Sequence, residues 1–373
     1  MVLNMQKLDA INNITQVYDW LCDDLSKAIF LNKVSYEVSK DFKYICNIWD
    51  LCCPQGLLRN KDKERLKSVR GKNIIIYGAG GGGTYMAFAL RDMDIPIKHF
   101  WDCNHGNFEN GLLGLPVLPP GSGFDHEKDF IVISVLSDIH KSEMKKQLYE
   151  LKIAEKNVNE HFTGIFHDIY ATINKGQYFE EGIVSFGEDE VFLDCGSYDF
   201  ANSKTFLEKC KNYKRIYAFE PLPTDLLRQE ISEYGSDDIR LIEACVYDDN
   251  GEIGFEVDTV NSHSSYISES AQNRIKTVKI DDVVDDGIKV TFIKMDIEGA
   301  ELKALHGASR VIAANKPKLA ISIYHKPEDL TEIPFFIKSL VTEYRFFIRH
   351  YSHAKWETVL YAIANEMRQP FDE

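Results

Sequence analysis

At 373 residues the chain is long for a single hydrophobic core, so two α/β domains and a smaller helical piece are expected. With 44% hydrophobic and 27% charged residues it is ordinary globular material, which excludes extended disorder away from the ends. Forty-three basic against 58 acidic residues give a net charge of −15, which argues against nucleic acid as a partner. The eight cysteines (22, 46, 52, 53, 103, 195, 210 and 245) show no paired CxxC spacing and are expected to be reduced thiols. No basic-then-apolar leader opens the chain, and apolar runs such as Phe130-Ile-Val-Ile133 are far too short to span a membrane. A soluble cytoplasmic protein is the expectation.

Apolar residues recur at helical spacing through Ile14, Val17, Tyr18, Leu21, Leu25 and Ile29, and again through Ile45, Ile48, Trp49 and Cys52. A helical segment over 1–70 follows, read as a packing module, with a cap or homo-oligomerisation arm as the alternative. The pattern breaks at Cys52-Cys53-Pro54-Gln55-Gly56, and a basic linker from Lys61 to Lys72 leads on.

Asn73-Ile-Ile-Ile-Tyr77 reads as a strand, followed by Gly78-Ala-Gly80-Gly81-Gly-Gly83 and a helix through Met86, Phe88, Ala89 and Leu90. That order fits a dinucleotide fingerprint, in which glycines permit a tight turn, close phosphate approach and helix packing. A second strand, Ile95–Trp101, ends in Asp102, near the offset at which an acid meets ribose. Phe130–Leu136 supplies a later strand. The alternative is that these glycines only allow a tight turn in a domain without a ligand. A polar helical connector is expected from Glu150 to Ile173.

Val191-Phe-Leu-Asp194-Cys-Gly196-Ser197-Tyr198-Asp199 reads as a buried strand breaking into a loop that opens a helix, and the following strand Arg215–Phe219 ends in Glu220-Pro221. This is half of a mononucleotide-binding unit, with the ligand expected beyond the strands' carboxyl ends. Further strands are read at Arg240–Val246, Gly254–Val257, Val290–Met295 and Leu319–Tyr324, and Tyr344–Arg349 with Trp356–Ala362 suits a closing antiparallel pair. Asp296 and Glu298 leave one strand end, and His325 ends the next. A histidine titrating near neutral pH and oriented by a carboxylate is a natural general base. The bland alternative is a histidine satisfying backbone and carboxylates capping a helix. Asp296, Glu298 and His325 could instead ligate a hard divalent metal, but the carboxylate supply is thin and no metal is expected. His263, in the polar loop Asn261–Ser265, is a weaker candidate.

Two resemblances follow from these motifs. Residues 71–145, with their Gly-rich turn, the acid after strand two and Gly114-Leu-Pro-Val-Leu118, resemble the small Rossmann-like domain at the front of PglD-type sugar acyltransferases. That implies a nucleotide-sugar site at Gly78, Gly80, Gly81, Gly83 and Asp102. The blocks Phe192–Gly196, Ala218–Pro221, Ala244–Gly251, Val278–Asp282 and Ile293–Glu301 resemble the FkbM family of S-adenosylmethionine-dependent methyltransferases. The resemblance implies a class I methyltransferase sheet with a terminal antiparallel hairpin, and O-methylation of a sugar or similar hydroxylated small molecule or glycan. It places Asp194, Gly196 and the amides of Ser197 and Tyr198 at the methionine end, Glu220 at the ribose, and Ala244 and Cys245 at the adenine. Asp296 falls near the transferred methyl, with His325, Asp296 and Glu298 as the catalytic set. One departure stands out: Phe200 occupies a position where the family commonly has Gly. It motivates an alternative, an inactive methyltransferase-fold scaffold; a nucleotide-sugar dehydrogenase centred on Gly78–Asp102 is a more distant one. The expected division is 1–70 helical, 71–150 Rossmann-like, 151–184 connector and 185–373 methyltransferase.

Overall fold

Apolar strand runs alternating with amphipathic helices have only one economical arrangement, parallel sheets with helices on their faces. The computed structural model describes residues 2–52, 64, 69–109, 111–135, 137–159, 176–235, 237–256, 266–267, 271 and 273–364, and two compact units result. One comprises Ser35–Lys175 and Tyr351–Lys355; the other comprises Met1–Val34, Gly176–His350 and Trp356–Glu373. The helical segment expected over 1–70, in its described part α1 (Val2–Trp20), α2 (Asp24–Ser39) and α3 (Lys43–Cys52), is thus divided between them.

The Ser35–Lys175 unit is built on five parallel strands, β1 (Asn73–Tyr77), β2 (Ile97–Trp101), β3 (Val117–Leu118), β4 (Asp129–Ile133) and β5 (Val158–Asn159), in the order β3-β2-β1-β4-β5. Ile74, Ile75, Ile76 and Tyr77 are fully buried, as a strand covered on both faces requires. The glycine turn leads into α4 (Gly81–Arg91), and α5 (Asp138–Glu150) is capped by Ser137, whose side chain accepts from the His140 amide. The helical connector expected from Glu150 is not helical where it is described. Residues 151–159 form a turn, a short 3-10 segment and β5, and 160–175 lie outside the described residues. Gly83 is a packing requirement, because a Cβ there would lie 1.9 Å from the Gly78 carbonyl oxygen. Gly83→Ala is therefore expected to cost this unit about 1–3 kcal/mol, read as a lowered unfolding midpoint; an unchanged midpoint would contradict it.

The other unit carries a seven-stranded sheet. Its strands are β6 (Glu190–Cys195), β7 (Tyr213–Phe219), β8 (Ile239–Ile242), β13 (Phe292–Met295), β14 (Lys318–Ser322), β15 (Tyr344–His350) and β16 (Thr358–Ala364), in the order β15-β16-β14-β13-β6-β7-β8. The first five are mutually parallel, and β16 inserts antiparallel between β14 and β15. A second sheet of β9 (Cys245–Val246), β10 (Gly251–Glu256), β11 (Tyr266–Ile267) and β12 (Arg274–Val278) branches off after β8. The single strand expected over 240–246 is thus split at Glu243, because its two ends pair with different sheets.

Phe192 and Phe292 stack at 5.0 Å on neighbouring strands, with Phe206 against Phe192, and anchor the core between β6 and β13. Edge strand β15 is partly covered by the α1–α2 corner, where the Cys22 amide donates to the Phe346 carbonyl at 3.0 Å and Arg349 pairs with Asp23 at 2.8 Å. Among the described residues, no helix is long and apolar enough to cross a membrane.

Candidate active site

In an open parallel sheet, loops diverge where strand order reverses, here between β6 and β13. Cys195 and Met295 are in register at that point, so the chain leaves both strands side by side. Gly196 turns with φ +81°, and a Cβ there would sit 2.0 Å from the Asp296 carbonyl oxygen. Only glycine fits, and it keeps the two loops in contact.

Beneath this turn lies a buried charge pair that the sequence reading did not contain. Lys294 reaches the Asp194 carboxylate at 3.2 Å and donates to the Gly196 carbonyl at 2.6 Å and to that of Cys195 at 3.2 Å. Burial opposes its charge, but Asp194 and Asp296 outweigh burial and raise its pKa. Asp194 is fully buried and accepts from Ser203 at 2.7 Å and Ser197 at 3.4 Å. These contacts tie the Asp194 carboxylate, expected at the methionine end, to the loop that follows it. The amides of Ser197 and Tyr198 are committed as well, to the Phe219 carbonyl and the Glu220 carboxylate, so neither is a donor waiting for a ligand.

Glu220 stands at the carboxyl end of β7, half-buried. Its two oxygens accept the amides of Tyr198 and Leu222, each at 3.1 Å. Each oxygen keeps a further acceptor site. Burial raises the Glu220 pKa. Ala244 and Cys245 are buried just past β8, and burial pushes the Cys245 thiol up to about 12, so it is an apolar neighbour. Phe200 takes φ +63°, the left-handed conformation that glycine adopts freely, with its ring fully buried against Tyr234. The departure from the family's Gly leaves a glycine-like turn in place.

The catalytic set gathers beside β13. Asp296 accepts from the Tyr178 phenol at 2.7 Å and the Tyr324 phenol at 3.0 Å. Burial pushes its pKa up, but Lys294, His325 and the two phenols outweigh burial and hold it below the usual carboxylate value. His325 lies with Nδ1 3.0 Å from the buried Glu301 and Nε2 3.5 Å from Glu298 and 3.6 Å from Asp296. Burial would lower its pKa; the facing carboxylates of Glu298, Glu301 and Asp296 raise it to about 11. That direction favours the protonated ring, which has no free lone pair and would organise the surrounding carboxylates. Asp296, Glu301 and His325 do bring ligand atoms within 4.8 Å of one another, the spacing of a metal site. Of the three, Asp296 also accepts from the two phenols.

A fourth acid completes the cluster. Glu357 immediately precedes β16, accepts a hydrogen bond from Gln177, and joins through it the Tyr178–Asp296 contact. Three non-glycine residues here hold left-handed backbones, Tyr178 (φ +64°), Glu298 (φ +55°) and Glu357 (φ +64°). Such conformations cost about 1–3 kcal/mol each and concentrate at functional sites.

His325 also sets a pH dependence. Its folded pKa lies above the unfolded value of about 6.5, so its protonation stabilises the fold fully below that value and the contribution fades as pH rises toward about 11. The wild type should lose more stability between pH 7 and 10 than His325→Gln does, by urea midpoints; parallel curves would contradict this.

In the Ser35–Lys175 unit, Gly78 takes φ +109°, whereas Gly80 and Gly81 have open space where a Cβ would be. Asp102 accepts the amides of Ala79 and Asn104, each at 2.8 Å, so it ties down the glycine turn. His353, within the same unit, lies with Nε2 3.2 Å from the Gly81 carbonyl. His263 lies outside the described residues.

Five parallel strands closed by an antiparallel hairpin, with an acid at the end of the second and a glycine turn at the first, define the Rossmann-like methyltransferase class. Residues 194–352 match the family model described as the methyltransferase FkbM domain. It is similar to the methyltransferase FkbM from Methylobacillus flagellatus KT, at 20% identity over 91% of this chain and 99% of that one, with a TM-score of 0.46. A rRNA methylase from Streptococcus thermophilus is 12% identical over 53% and 95% of the two chains, with a TM-score of 0.31. A Streptococcus mutans protein solved in complex with SAH is 14% identical over 48% and 90%, with a TM-score of 0.28. Comparison with curated proteins gave no match.

Proposed function

We propose that the chain is an S-adenosylmethionine-dependent O-methyltransferase acting on a sugar or sugar-like hydroxyl, carried by a nucleotide or a glycan. The observation behind this reading is the junction of Gly196 with Asp296, beside a half-buried Glu220 that retains acceptor capacity. The residues fit the cofactor. Glu220 would accept the ribose hydroxyls, Ala244 and Cys245 would supply apolar surface to the adenine, and the Gly196 turn would leave room at the sulfonium end. When bound, the cofactor supplies an electrophilic methyl group on sulfur.

The protein's own task is then to align a hydroxyl, exclude water and receive its proton. The acidic rim of Asp296, Glu298 and Glu357 suits a neutral polyol, whose hydroxyls donate to carboxylates, and disfavours an anion there. The open space at Gly80 and Gly81 favours phosphate contact in the Ser35–Lys175 unit.

The test is calorimetry with S-adenosylmethionine and its demethylated product, followed by transfer of a labelled methyl group to UDP-linked hexoses and to free methyl glycosides. Binding of both ligands and label on a hexose hydroxyl is expected. Absence of binding by either would leave the scaffold alternative, and label on an amine would overturn the hydroxyl assignment.

A further inference from the structure

With the protonated ring of His325 favoured and Asp296 clamped by two phenols, the proton of the acceptor hydroxyl needs another destination. Glu357 sits on the rim to which β13 and β14 deliver their carboxyl ends, because β16 runs antiparallel and starts there, with the Ile323 amide donating to the Thr358 carbonyl at 2.9 Å. The groups facing it come from three elements: Gln177 and Tyr178 from the segment before β6, Asp296 and Glu298 from the end of β13, and Tyr324 and His325 after β14. Gln177 gives it a neutral hydrogen bond, and among the described residues no lysine or arginine is paired with it. As a residue it is half-buried.

Resting on the methyltransferase reading above, we propose that Glu357 is the proton acceptor for the hydroxyl being methylated, and that a cationic sulfonium ligand switches it on by expelling its proton. In the reaction the hydroxyl oxygen forms the new C–O bond, the C–S bond electrons stay on sulfur, and the O–H proton passes to the Glu357 carboxylate. Burial and the neighbouring Asp296 and Glu298 charges raise the Glu357 pKa to about 7, against the smaller opposing effects of Gln177 and His325. Burial thus favours the acid form, and a positive charge nearby favours the carboxylate. The left-handed backbone at Glu357 holds the group there against its local preference.

Calorimetry of the full chain tests this without knowledge of the acceptor. Binding of S-adenosylmethionine at pH 7 is measured in buffers of different ionisation enthalpy, which reports the protons exchanged. The wild type should release protons with S-adenosylmethionine, and clearly fewer with the demethylated thioether, which lacks the sulfonium charge. Glu357→Gln should bind both ligands and release no proton that distinguishes them. Equal release with the two ligands in the wild type would overturn the proposal, and that comparison needs no variant to fold. A difference that persists unchanged in Glu357→Gln would overturn it too. If the wild type binds neither ligand, the methyltransferase reading itself fails and this proposal falls with it.

Discussion

Replacing Lys294 with alanine is expected to destabilise the methyltransferase unit by about 3–5 kcal/mol and to abolish cofactor binding. The lysine and Asp194 are both buried, so deleting the cation leaves a carboxylate with two serine hydroxyls and no counter-charge. It also releases the Gly196 and Cys195 carbonyls that fix the turn, and removes a cation lying 5.2 Å from the centre of the Tyr178 ring. Removing both charges, as Asp194→Leu with Lys294→Met, should recover much of the stability, because a buried ion pair and an apolar pair of similar volume often differ little. It should not recover cofactor affinity, since the loop still lacks its anchor. Urea denaturation and calorimetry separate the two effects. A single Lys294→Ala variant within 1 kcal/mol of wild type would refute this assignment.

Gly196→Ala is the second large expectation. The added methyl group would meet the Asp296 backbone oxygen at 2.0 Å, in a conformation of φ +81° that alanine adopts poorly. Neither atom is the flexible end of a side chain, so the β6 and β13 loops must separate. A stability loss of about 1–3 kcal/mol should accompany a fall in S-adenosylmethionine affinity of more than tenfold, which is more than 1.4 kcal/mol of binding free energy. Unchanged affinity would show that the contact between these loops does not shape the binding site.

How much of this was legible from the residues depends on the scale of the feature. Strand runs such as Ile74–Tyr77 and Val191–Leu193 carried their own burial pattern, and the glycine and acid at their ends marked the turns. The strand over 240–246 misled because an apolar run does not say which sheet it pairs with, and its two halves join different ones. Individual roles at the site were harder to see. Asp194 has the residue type of a ligand contact, but nothing local tells that Lys294 points at it from the next strand. A lysine inside the apolar run Phe292–Met295 was the available signal, since lysine is almost never fully buried without a partner. His325 was recognisable as a site residue, yet its protonation depends on Glu298, Glu301 and Asp296, which the fold gathers around it. Tyr178 and Glu357 gave no sequence signal, because both owe their positions to left-handed backbones that no pattern announces.

The most direct measurement is a crystal structure of the chain with the demethylated cofactor product. The account predicts the ribose hydroxyls on the Glu220 carboxylate and the thioether sulfur above the junction of Gly196 and Asp296. Density for the ligand on the glycine turn at Gly78–Gly83, or a Glu220 that contacts no part of it, would contradict the account.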